Sequence, residues 1–285
     1  KKNILNTTII CTIMTTKTSL TKAADGFAAQ KCPVCNSLFT VYLREIPAPR
    51  SQKQIPVYYC MDCSSLATPS GYIEDEERLK IDAQWHLSVM ERNIRYTRNF
   101  MRAVKHYFPS IKSILEIGTG IGTSLNVAQA EFGMNVIGFD INKYAIELGK
   151  ITYPDLNIHQ QFWSMDTVSE KYDLVVCISV LEHLNYPRKL FSEIANYCKK
   201  HSSSAFISVP YFEREDWDLL LKENTAESNS VLRLVDVHVV HFTRQGFVNM
   251  ASSYGATSVL YFPRGWQGYW LDFGGSIPEI LTPKS

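Results

Sequence analysis

The stretch Leu115-Glu116-Ile117-Gly118-Thr119-Gly120-Ile121-Gly122-Thr123 follows an apolar strand, Ser113 to Ile117, and leads into a helical run, Leu125 to Glu131. Glycine at every second position permits a tight turn, lets the backbone approach a ligand, and opens a helix whose first N–H groups lack partners. The loop by itself is a weak signature. A dinucleotide-binding loop wants its third glycine where Thr123 stands, so G-x-G-x-x-G is not met. The next apolar run, Asn135 to Asp140, ends on a carboxylate placed to accept both hydroxyls of a bound ribose.

Outward from this loop the chain alternates strand and helix. A helix is expected over Lys143 to Lys150, strands over Leu156 to Gln160 and Tyr172 to Ile178, a helix over Arg188 to Lys199, and a strand over Ala205 to Val209. A helix over Thr243 to Tyr254 and a final strand over Thr257 to Phe262 follow. This order predicts an α/β domain with a parallel sheet. Upstream, Ile73 to about Tyr107 reads as helical, with Glu74, Glu76 and Glu77 at its start and Trp85, Leu87, Met90, Ile94, Phe100, Met101 and Val104 at helical spacing. Those helices pack one face on the next domain, and Trp85, Arg95 or Tyr96 is a candidate for the edge of a substrate entrance.

Cysteine usage marks a second region. Cys32 and Cys35 in C-P-V-C are separated by 24 residues from Cys60 and Cys63 in C-M-D-C, whereas Cys11, Cys177 and Cys198 are scattered. Two close pairs of thiolates can wrap one tetrahedral zinc ion, because each two-residue spacer turns both sulfurs inward. Two disulfides or a redox pair are the rival readings, disfavoured by a reducing cytoplasmic setting and by the lack of a thioredoxin-like unit around Cys32. Four thiolates fill the coordination shell, so the zinc is expected to be structural rather than catalytic. The alternation of Phe39, Val41 and Leu43, and of Val57 and Tyr59, fits two short strands between the pairs, with Pro47 and Pro49 at the turn.

Composition bounds the function. With 29 Lys+Arg against 28 Asp+Glu, the chain lacks the basic excess that a non-specific nucleic-acid binder uses to neutralise phosphates. No apolar stretch of about 18 residues offers a membrane span. Asn3, Asn6 and a run of threonines interrupt the apolar residues of Lys1 to Met14, so this segment is expected to be a frayed tail rather than an export signal. Four regions result: a flexible tail over 1–30, a zinc-binding module over 31–72, a helical linker or lid over 73–110 and a catalytic domain over 111–285.

The loop at Glu116 to Gly122, the strand end V-I-G-F-D at Asp140 and the run K-Y-D-L-V-V-C-I-S-V-L-E-H-L from Lys171 to Leu184 together resemble the class I S-adenosylmethionine-dependent methyltransferases. The resemblance covers roughly Ile111 to Phe262 and implies a Rossmann-like, seven-stranded sheet with its last strand antiparallel and helices on both faces. It implies S-adenosylmethionine as cofactor, held by Glu116 near the methionine amino end, by Gly118, Thr119, Gly120 and Gly122, by Asp140 at the ribose, and by Ile141. After the third strand the sequence Gln161-Phe162-Trp163-Ser164-Met165-Asp166 departs from the usual Gly-Asp pair. Trp163 either flanks the adenine or packs in the core, and Asp166 is a candidate acceptor for the exocyclic amine.

Methyl transfer to a hydroxyl or an acidic carbon needs a base, and three histidines have suitable addresses. His183 follows the fourth strand of the domain at the carboxyl edge of the sheet, with Glu182 beside it. His238 and His241 lie in D-V-H-V-V-H-F-T, similar to the H-V-x-x-F-T segment of small-molecule methyltransferases. Tyr211 to Val235, with Trp217, is expected to cover an acceptor pocket, and Pro263 to Trp270 either stacks on a sugar or docks on the sheet as a tail. A four-cysteine module before this core resembles enzymes of bacterial glycan and deoxysugar pathways. A small-molecule or carbohydrate acceptor with O-methylation ahead of C- or N-methylation is the favoured expectation. A zinc-bearing ribosomal RNA methyltransferase and a non-catalytic scaffold are the alternatives.

Overall fold

The computed structural model describes residues 31–48, 53–68, 76–212, 216, 220, 225, 237–262 and 266–274. The expected tail over 1–30, Pro49, Trp217 and Pro263 lie outside the described residues. Two compact units are present, one from the chain up to Tyr72 together with Tyr211–Phe247, the other from Ile73–Pro210 and Val248–Ser285. The cysteine-bearing unit thus draws in a segment that lies far along the sequence.

In that unit, β1 (Thr40–Pro47) and β2 (Gln54–Cys60) form an antiparallel hairpin in the register Thr40↔Cys60 to Pro47↔Gln54, with an irregularity between Tyr42 and Arg44. β3 (Leu66–Ala67) pairs with β2, and β9 (Val240–His241), from the later segment, pairs with β3. Ile46, Ile55, Val57, Tyr59 and Leu66 form a small core that Phe212 and Leu220 join. The alternation seen in the sequence is therefore the burial pattern of a hairpin with one face covered.

The second unit is built on a seven-stranded sheet. Its strands are β4 (Ser113–Ile117), β5 (Asn135–Asp140), β6 (Ile158–Gln160), β7 (Leu174–Ile178), β8 (Ser204–Ser208), β10 (Ser258–Phe262) and β11 (Gly268–Asp272). They lie in the order β10-β11-β8-β7-β4-β5-β6. The pairs β4–β5, β4–β7, β5–β6 and β7–β8 are parallel, and β11 is antiparallel to both β8 and β10. Helices α3 (Thr123–Phe132), α4 (Lys143–Thr152), α5 (Pro187–His201) and α6 (Arg244–Ser253) make the connections, and all five residues of β4 are buried. A strand covered on both faces is apolar on both, which is how Ile114, Leu115 and Ile117 stood out in the sequence around the buried Glu116.

The upstream helical region divides into α1 (Glu76–Ser88) and α2 (Met90–Tyr107), broken at Val89. Thr97, Phe100, Met101 and Val104 of α2 are buried at i, i+3, i+4 and i+7, one stripe facing the core. Phe100 and Val104 join Leu125, Val176, Phe206 and Trp270 there.

One expectation is corrected. The sheet does not finish at Phe262: Gly268–Asp272 enters it between β8 and β10 with every residue buried, so Tyr269 and Trp270 fit the alternative in which the run docks on the sheet. Trp270 pairs with Phe206, and its ring stacks on Phe108 with centroids 3.9 Å apart and planes within 6°. Gly268 carries no side chain because a Cβ there would stand 2.6 Å from the Ile207 carbonyl oxygen. Among the described residues no helix is long and apolar enough to cross a membrane. Trp270→Ala should destabilise the protein by about 3–5 kcal/mol through loss of a fully buried ring, measured as a shift in the denaturant midpoint at unchanged slope.

Candidate functional site

β4, β5 and β7 deliver the site at the carboxyl ends of the parallel strands, where ligands of open α/β sheets gather. The glycine turn leaves β4 with Gly118, Gly120 and Gly122 all at positive φ. At Gly118 a Cβ would also collide with Val180 Cγ2, so the turn requires glycine there for space as well as conformation. α3 then begins at Thr123.

Asp140 ties this turn to the next connection. Its Oδ2 accepts the Gly120 N–H at 2.8 Å and its Oδ1 accepts the Asn142 N–H at 2.8 Å. Asn142 in turn caps α4, its side-chain oxygen accepting from the Tyr144 and Ala145 N–H groups at 3.0 and 3.3 Å. Burial pushes the Asp140 carboxyl above its usual range, opposed by these backbone hydrogen bonds and by His86. The carboxylate is thus held in one orientation, and each of its oxygens can accept more than one hydrogen bond, as a vicinal diol would offer.

Glu116 is buried below the turn and accepts from the Thr119 hydroxyl at 2.8 Å. Burial raises its carboxyl to about 8, more than hydrogen bonds from Thr119 and Ser124 bring it down, and Asp140 adds repulsion. Beside it an apolar recess is lined by Thr97, Phe100, Met101, Val176 and Trp266.

At the far end of the site two apolar side chains stay exposed, Ile141 just after β5 and Phe162 just after β6. The segments that carry them are tied by the Gln161 N–H, which donates to the Asp140 carbonyl at 2.9 Å. Trp163 turns into the core instead, 2% exposed and edge-on to Tyr197 at 5.8 Å, so its core-packing alternative fits the geometry. Asp166 is exposed. The sequence reading passed over Phe162, although a ring directly after a strand's carboxyl end is itself a signal of a stacking surface.

The candidate bases differ sharply. His183 sits half-buried on a single 3-10 turn, Leu181–His183, after β7, with Glu182 buried next to it. His238 and His241 belong to the cysteine-bearing unit, their rings 6.3 Å apart. His241 is buried on β9, with Nε2 3.1 Å from the Thr68 hydroxyl, which donates to the His238 carbonyl at 2.7 Å. Burial lowers its imidazole to about 3. A group so weakly basic and so enclosed does not fit the base role and instead secures the β3–β9 pairing.

Within the same unit the four cysteines come together. Cys32 and Cys63 sulfurs are 3.6 Å apart, Cys35 and Cys60 sulfurs 3.4 Å, and all four ligand atoms lie within 4.8 Å of one another. Zinc–sulfur bonds of about 2.3 Å put tetrahedral sulfurs about 3.8 Å apart, so the cluster fits such an ion with a closed shell. Cys177 and Cys198 are buried elsewhere in the other unit.

A family model described as a methyltransferase domain matches residues 90–260. The chain belongs to that family. This methyltransferase-family chain is 26% identical over 103 residues to the ubiquinone biosynthesis O-methyltransferase of Coxiella burnetii, a match covering 34% of this chain and 44% of that relative. It therefore spans less than half the length of the curated relatives it matches. In fold it is similar to Streptomyces venezuelae DesVI, with TM-score 0.51 and 16% identity over 72% of this chain and 100% of the other. It is likewise similar to human N-acetylserotonin methyltransferase in complex with SAM, with TM-score 0.53 and 16% identity over 70% of this chain and 57% of the other.

The raised Glu116 carboxyl has a measurable consequence for this methyltransferase fold. Between the ordinary carboxylate range and about pH 8 the folded protein holds a proton that the unfolded chain has released, so its contribution is present on the acid side and is lost as pH rises through about 8. Glu116→Gln should gain thermal stability relative to the parent as pH rises from about 5.5 to 8.5, by about several degrees. A pH-independent difference between the two melting curves would overturn this assignment.

Proposed function

We propose that the chain is an S-adenosylmethionine-dependent methyltransferase that methylates a small-molecule acceptor at oxygen, the acceptor being a carbohydrate or nucleotide-linked sugar. The observation that carries this reading is Asp140 at the carboxyl end of β5, its two oxygens fixed by the Gly120 and Asn142 N–H groups beside the glycine turn. Asp140 takes the ribose hydroxyls, Glu116 lies toward the methionine amino end, and Gly118 and Gly120 let the backbone approach the ligand. Ile141 and Phe162 offer apolar surface to the adenine, which does not require the Gly-Asp pair absent here. The O-methyltransferase activity named for the ubiquinone-pathway relatives supports oxygen as the accepting atom. The cysteine module supports the comparison with glycan-pathway enzymes.

S-adenosylmethionine, when bound, supplies a methyl group already activated as a sulfonium, so the chain's own task is to align, exclude water and remove a proton. His183 is assigned the proton removal, since it combines partial exposure with a position at the carboxyl edge of the sheet. Cys32, Cys35, Cys60 and Cys63 would hold zinc as a structural cross-link, in a reducing cytoplasmic setting that keeps the thiolates available.

Calorimetric titration with S-adenosylhomocysteine tests the cofactor site. Asp140→Ala should weaken binding by about 100-fold or more, because charge-assisted hydrogen bonds to the diol are lost. Turnover of nucleotide-linked sugars tests the base: His183→Ala should lower kcat by about 10²-fold or more with cofactor affinity unchanged. Unaltered affinity in the first variant, or unaltered turnover in the second, removes the respective role. The metal reading is independent of both. One zinc per chain is expected by elemental analysis, and Cys32→Ser with Cys60→Ser should release it and expose Tyr42, Tyr58 and Tyr59 to solvent, followed by their ultraviolet absorbance.

A further inference from the structure

α1 precedes the residues matched by the methyltransferase family model, yet it is fastened to the centre of the cofactor-binding turn. The Asn142 side-chain amide donates to the Leu79 carbonyl at 2.8 Å, and the Tyr144 hydroxyl bonds Glu76, so α1 is pinned to the start of α4 at two points. Ala83 packs with Ile121 of the turn and Ala145 of α4, and Leu87 and Leu148 pack against them. His86 is three residues after Ala83 and so shares its face of the helix.

The imidazole lies directly on Gly120. A Cβ at that position would stand 2.5 Å from His86 Cε1 and 2.8 Å from both ring nitrogens. Asp140 is bonded to the N–H of the same glycine. The ring is edge-on to Trp85 at 5.6 Å, but among the described residues neither of its nitrogens has a hydrogen-bond partner. Burial lowers its pKa, with Asp140 and Asp82 opposing. A neutral imidazole has one donor and one acceptor, and a core histidine uses them within the protein. Here both remain available beside the one carboxylate oriented for a diol.

We propose that His86 is a further cofactor-binding residue, hydrogen-bonding the ribose hydroxyls alongside Asp140, with α1 forming the wall that closes the sugar end of the site. This rests on the reading of the Gly118–Asp140 turn as the S-adenosylmethionine site. A vicinal diol can then meet a fixed acceptor and an adaptable donor–acceptor at once. It also gives Gly120 a second reason, beside its positive φ, for lacking a side chain: the space is taken by a ring from another helix.

The test uses the full chain with S-adenosylhomocysteine and its 2′-deoxy and 3′-deoxy analogues. His86→Ala should raise the dissociation constant for the parent ligand by about tenfold, the size of one to two net hydrogen bonds. The penalty for at least one deoxy analogue should shrink several-fold in His86→Ala relative to the unaltered protein, which lost packing alone would not produce. His86→Gln should recover part of the affinity and His86→Phe should not, with melting temperatures checking that each variant folds. An identical deoxy penalty in both proteins, or tighter binding by His86→Ala, overturns the proposal while leaving the cofactor site intact. Absence of binding by the unaltered protein overturns the cofactor reading itself and this inference with it.

Discussion

The bond from the Gly120 N–H to the Asp140 carboxylate is the constraint on which the catalytic unit's geometry depends. It joins the turn after β4 to the turn after β5, while the other carboxylate oxygen takes the N–H of Asn142, the residue that caps α4. Two connections and the start of α4 are thereby fixed relative to one side chain. A carboxylate in such a place is costly to bury unless its lone pairs are used. The Gly120 and Asn142 N–H groups use two of them and Ile141 adds to these, and burial raises its pKa all the same, so a further donor would stabilise the charged form.

The carboxylates of the site divide their work by environment. Asp140 is oriented by backbone donors at the rim, whereas Glu116 sits under the turn with Thr119 and an apolar recess around it. Desolvation acts on both, and only Asp140 is held by backbone amides on both oxygens. Glu116 consequently tends toward its neutral form, and a cation arriving above it would restore its charge.

Much of this was legible in the sequence because local signals and tertiary roles coincide. Ile114, Leu115 and Ile117 are apolar because both faces of β4 are covered, and Asn135 to Asp140 matches β5 residue for residue. The C-P-V-C and C-M-D-C pairs meet as their spacing predicts. Elsewhere the signals were shared between outcomes. Tyr269, Trp270 and Leu271 carry the same residue types as a stacking surface, and only the vacant edge of β8 decides that they form a strand. His241 resembled a base because its segment is similar to the H-V-x-x-F-T pattern, while the strand it lies on pairs with Leu66, far away in the chain. His86 gave no sequence signal, since its meaning depends on a glycine in a different element.

The late position of β11 shapes how the domain comes into being. β8 has one edge paired with β7 and the other waiting for residues 268–272, some 60 positions later in the chain. During synthesis that edge, with Phe206 on it, stays open while Val248–Phe262 is made, a template for unwanted strand pairing. β10 has no place in the sheet either until β11 arrives, because β11 alone joins it to β8. The nascent protein therefore completes its core in one late, non-local step, and a ribosome stalled before Gly268 would hold a five-stranded half-sheet with an exposed, aggregation-prone border.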